Sequence, residues 1–178
     1  MVVHAGLHHC PSPHRALLEM YRVARKCAIV FEARDSLMMR AAVRLGLTVD
    51  FELEAVSVDF KTGGLNNGPV PNFIYRWTER EVEKAIASYD PAHCPEVSFF
   101  YGLRIPTQRF ERTGNTALRL VGRLALPFSR LLASLAPKQC NEFAFAIKKS
   151  SALKPWMENE TMVSRQYLTK HGRMYADG

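Results

Sequence analysis

Apolar residues recur along this chain in two rhythms, short unbroken runs and steps of three and four, and their alternation predicts strands and helices in turn. Val2 and Val3 begin a short strand that passes into a His-rich turn holding His4, His8, His9 and His14. Over residues 14–25, Leu17, Leu18, Met20, Tyr21, Val23 and Ala24 keep helical spacing while Arg15, Glu19, Arg22 and Arg25 occupy the opposite face. Pro13 suits the first turn of that helix, where an amide hydrogen would go unpaired anyway, and Ser12 is its candidate cap. Residues 27–31 form a continuous apolar run, expected of a strand covered by helices on both faces. Strand, turn and helix make half of a βαβ unit already under way at residue 2, and the strand over 27–31 follows closely.

Glu32, Arg34 and Asp35 mark the carboxyl end of the second strand, and Ser36 can cap a helix over 37–45 that Gly46 closes. Residues 51–58 alternate loosely like a strand, and Gly63, Gly64, Gly68, Pro69 and Pro71 crowd the loop that follows. Residues 46–76 are therefore expected to be an inserted loop or lid. Thr78 and Glu81 have capping-box spacing, so a helix starts there and ends at Asp90 and Pro91. Residues 96–105 and 143–147 read as strands. Between them, residues 116–135 read as one long basic amphipathic helix, bent or broken near Pro127. The expected organisation is one α/β domain over 1–149 and a polar tail over 150–178, loosely held, with Trp156 as its main anchor.

Composition narrows the class without naming a function. A chain of 178 residues, 47% hydrophobic and 23% charged, is long enough for one domain with a single core. Its net charge of +7 permits an anionic partner without demanding one. A solvated basic face accounts for Arg112, Arg119, Arg123, Arg130 and Lys138, so nucleic acid is not an expected partner. Four widely spaced cysteines form no CxxC pair, and no signal-peptide order stands at the start, so a reducing, cytoplasmic setting is expected. Arginines and Pro127 interrupt the longest apolar stretch, over 118–135, which therefore fails as a membrane span.

Imidazole and thiolate are common metal ligands, which draws attention to His4, His8, His9, Cys10 and His14. There is no HExxH helix and no evident carboxylate nearby, so no metal is expected. Position offers a different chemistry: in open parallel sheets, ligands bind beyond the carboxyl ends of the strands. The His-rich turn and the Glu32 end lie at two such ends, where His8 or His9 could serve as a base or an orienter. Tyr75 and Trp77 could stack on a ring-shaped substrate or belong to the core.

The run from Val2 to Cys10 with its Leu7, His8, His9 turn, the helix carrying Arg22 and Val23, and the strand from Ala28 to Glu32 together resemble the second half of a class I S-adenosylmethionine-dependent methyltransferase. On that resemblance they look like its fourth strand, the following turn and helix, and its fifth strand. The strands near Phe99 and Phe145 look like the sixth and the reversed seventh, an antiparallel hairpin at the sheet edge. The resemblance implies a partial Rossmann-like sheet with flanking helices, S-adenosylmethionine as cofactor, and a small-molecule methyl acceptor. It places His4, Ala5, Gly6 and Leu7 against the cofactor, His8 and His9 at the reacting centre, and Tyr75, Trp77 and Arg34 against the acceptor under the 63–71 loop. The family's glycine-rich cofactor turn has no counterpart in these residues. The expectation is thus an N-terminally truncated methyltransferase, inactive or incomplete alone, with roughly 100 residues of three strand-helix units preceding Met1 in the whole enzyme. Its alternative is a non-catalytic module that dimerises or binds a partner chain through an open sheet edge, or a peripheral membrane binder using the basic helix.

Overall fold

The computed structural model describes residues 1–104, 127, 129, 131 and 133–171. The fold is mixed α/β, with a four-stranded mixed sheet and a separate two-stranded antiparallel one. In chain order the larger sheet comprises β1 (Val2–His4), β2 (Cys27–Ala33), β3 (Glu96–Gly102) and β4 (Glu142–Lys148), and its spatial order is β1-β2-β4-β3. β1 and β2 are parallel, with Val3 opposite Val30. β4 runs antiparallel to both neighbours, placing Phe145 between Val30 and Phe99. The carboxyl ends of β1, β2 and β3 therefore meet the start of β4 at one end of the sheet.

Helices α1 (Pro13–Val23) and α4 (Glu79–Tyr89) form where the sequence signals lie. Ser12 Oγ accepts from the Arg15 amide, and Thr78 with Glu81 closes a reciprocal capping box. Leu17 and Tyr21 from α1 and Val82 and Ile86 from α4 pack with Val30, Trp77, Phe143, Phe145 and Ile147 into one core. Tyr21 also donates to Asp90 Oδ2 at 2.6 Å, tying α1 to the end of α4. Helix α2 (Leu37–Arg44) is capped by Ser36 and followed by Gly46 at φ +68°, a left-handed turn that glycine adopts without steric cost.

Four expectations need correction. The apolar run of β2 is not covered evenly: Ala28 and Val30 are buried, but Phe31 is 42% exposed and Ile29 is half-buried, the alternation of a strand with one covered face. No strand spans 51–58; Leu53–Val56 forms a short helix, α3, and Phe51 alone bridges Phe73. The strand expected over 96–105 ends at Gly102, and Ile105 lies outside the described residues. The tail is not held by Trp156, which is 40% exposed; Leu153 bridges His93, and β5 (Met157–Asn159), β6 (Met162–Val163) and the helix Arg165–His171 follow. Most of the long basic helix expected over 116–135 also lies outside the described residues, Arg112, Arg119, Arg123 and Arg130 among them. Among the described residues, no helix is long and apolar enough to cross a membrane.

Candidate functional site

β1 ends at His4, and the chain turns sharply at Ala5, whose φ of +48° is left-handed and uncommon for a residue with a side chain. Ala5 still donates its amide to Phe31 at 2.8 Å, so the turn remains attached to β2. The amides of Gly6 and Leu7 then point at Glu32, which is buried near the end of β2, and donate to its Oε1 at 2.9 and 2.7 Å. Leu7–His9 closes as a 3-10 turn with Leu7 and His8 buried.

The other oxygen of Glu32 lies 2.7 Å from His8 Nδ1. A carboxylate can only accept, so this contact places a proton on Nδ1, and in the neutral ring the lone pair is then on Nε2. Burial works to lower the His8 pKa, but its hydrogen bond to Glu32 and the charges of Glu32 and Glu52 outweigh burial and hold it above the usual imidazole value. Glu52 arrives from the inserted segment. Its amide donates to Asn72, and Ile74 donates to Asp50, so two short stretches of the insertion brace each other beside the turn. Glu52 Oε1 stands 3.6 Å from His8 Nε2 and Oε2 stands 3.5 Å from His9 Nε2. The carboxylate partner not evident in the sequence is thus delivered by the fold.

A cavity of about 460 Å³ opens at this end of the sheet, lined by His4, Ala5, His8, Glu32, Glu52 and Phe100 among others. Two of the four residues expected to face a cofactor, His4 and Ala5, line it. Gly6 and Leu7 do not; their amides are committed to Glu32. His8 lines the cavity, while His9 is outside its lining, with its ring centroid 4.6 Å from that of His8 and its Nε2 3.5 Å from Glu52 Oε2.

The three residues expected to grip the acceptor are elsewhere, each for a packing reason. Trp77 is fully buried against Phe145, the core alternative for that aromatic. Tyr75 packs edge-on to Trp77 and donates its hydroxyl to Glu81 at 2.7 Å; burial, with this bond adding to it, raises its pKa. Arg34 is buried, donates to both oxygens of Glu79 and lies over the rings of Tyr101 and Phe143. The insertion reaches the cavity through Glu52 and Ile74 rather than through the glycine-rich loop over 63–71. That loop folds on itself: a side chain at Gly64 would collide with the Val70 carbonyl oxygen. Sequence reasoning missed Glu32 and Glu52 as site residues. Glu32 had one signal, an acidic group ending an apolar strand; Glu52 had none, because its role depends on a contact across the fold.

Comparison of the chain with protein-family models, with curated proteins and with solved structures finds no match.

Proposed function

We propose that this chain is the acceptor-side half of an S-adenosylmethionine-dependent methyltransferase and that its cavity takes a small methyl acceptor. The observation that carries this reading is the sheet: a parallel pair followed by an antiparallel pair with the last strand reversed, and a cavity at the carboxyl ends of β1 and β2. That is the strand arrangement the sequence resemblance implies. The cavity volume, about 460 Å³, falls in the ~300–1,000 Å³ range of small-molecule sites.

S-adenosylmethionine would supply the methyl group as a sulfonium. In this reading His4 and Ala5 would form one wall against the cofactor, and the neutral His8 ring would present Nε2 to the acceptor as a hydrogen-bond acceptor. Glu32 positions that ring from behind through Nδ1, and the same carboxylate fixes the Gly6 and Leu7 amides. One rigid group therefore sets both the turn and the imidazole, and orientation is a large share of the rate gain in a group transfer. The residues present fit one wall of a cofactor site. No glycine-rich turn stands in these residues to form the other.

Amide-resolved NMR titration of the chain with S-adenosylmethionine and S-adenosylhomocysteine tests the reading. Shifts centred on His4, Ala5 and His8 are expected. An unchanged spectrum at millimolar cofactor, or shifts confined to another region, would overturn the part of the reading that sets the cofactor against His4 and Ala5 in this chain. A second reading, an interaction module, is favoured by the outer edge of β1, which pairs with no strand among the described residues.

A further inference from the structure

His8, His9 and Glu52 bring one ligand atom each to within 4.8 Å of the others. We propose that these three side chains form a divalent transition-metal site, best suited to zinc, with its open coordination position directed at the cavity. Neither Glu52 contact is a good hydrogen bond: at 3.6 and 3.5 Å the imidazole nitrogens are too distant to be satisfied by the carboxylate, yet close enough to share an ion with it. Zinc bonds of about 2.0–2.2 Å put neighbouring ligand atoms roughly 3.3–3.5 Å apart, so side-chain adjustment by about an ångström closes the set. His9 and Glu52 can make that adjustment, with 37% and 30% of their side chains exposed.

His8 is already prepared. Its Nδ1 is engaged by Glu32 at 2.7 Å, the carboxylate-histidine arrangement that aims the other ring nitrogen and increases its basicity toward a metal. Two imidazoles and one carboxylate with an unfilled position is a donor set that zinc accepts. A bound ion would take the Nε2 lone pair of His8, so an oxygen or nitrogen donor in the cavity would meet the metal instead of the ring. The site stands on these side chains alone, without the methyl-transfer reading.

The test is titration of the 178-residue chain with Zn²⁺ against a chromophoric chelator, and with Co²⁺ followed by visible absorption, in the absence of any cofactor. One equivalent should bind, with the strong d–d bands of a low-coordinate nitrogen and oxygen site. His9→Asn and Glu52→Gln, checked for parent-like folding by circular dichroism, should each weaken binding by at least the about 10–100-fold typical of losing a supporting partner. His93→Asn alters a histidine with carboxylate contacts outside the site, to Asp90 and Glu160, and should leave affinity unchanged. No uptake at millimolar metal, unchanged affinity in both ligand variants, or a thiolate charge-transfer band would each overturn the site.

Discussion

Glu79 accepts two hydrogen bonds from Arg34 Nη2, at 2.8 and 2.6 Å, and a third from the Tyr101 hydroxyl at 2.6 Å. Burial works to raise its pKa, but these bonds outweigh burial and hold the carboxyl at about 2, well below its ordinary 4.5. Burial and, after it, the hydrogen bond to Glu79 push the Tyr101 phenol up to about 12. Arg34→Ala would leave a largely buried carboxylate with only the exposed Lys138 ammonium, 3.9 Å away, as its cation; breaking a buried pair costs about 3–5 kcal/mol, and urea denaturation should show a loss toward the lower end of that range. Because the folded pKa is depressed, the unfolded chain binds the proton more readily. Stability from Glu79 is therefore full above about pH 5 and lost as pH falls toward about 2. Denaturation midpoints should decline through this window in the parent and decline less in Glu79→Gln. In sequence Trp77 suits either a ligand platform or the core, and the fold buries it in the core. Trp77→Ala should cost about 3–5 kcal/mol with no ligand present, a loss that a purely substrate-stacking residue would not produce.

At the scale of elements, local chemistry was the most legible part of the chain. Ser12, Ser36 and Thr78 each accept an amide bond at the helix start that their spacing marks. Thr78→Ala should lower stability by about 1 kcal/mol, within the usual ~0.5–2 kcal/mol of a lost cap, measurable by thermal or urea unfolding. Caps are readable because partners three residues apart lie within one turn. The insertion was not readable in the same way. Glu52, Phe51 and Asp50 owe their placement to Asn72, Phe73 and Ile74, and no period in the sequence announces a pairing across that distance. β2 misled for a related reason: an unbroken apolar run has no alternation to separate a covered face from an open one, and only the neighbours of Phe31 decide that.

At the scale of the whole molecule, β1 is one of the two edge strands of the larger sheet and pairs on its outer side with no strand among the described residues. Ile29 donates to Met1 and Ala5 donates to Phe31, so the odd-numbered backbone groups face β2 and those of Val2 and His4 face the open edge. Such an edge is a template for another strand. Sedimentation velocity over a concentration series should show the mean mass rising with concentration, and Val2→Pro, which removes an outward amide without touching the β2 ladder, should abolish the rise. A monomer at every concentration would contradict association through this edge. The sequence by itself determined the α/β class, the helix starts and the strand centres, because periodicity, caps and apolar runs act between residues a few positions apart. Only the tertiary structure decided the strand order, the burial of Arg34 and Trp77, and the meeting of Glu32 and Glu52 with His8. These depend on packing and charge between groups far apart in sequence, and a one-dimensional pattern carries no record of such distances.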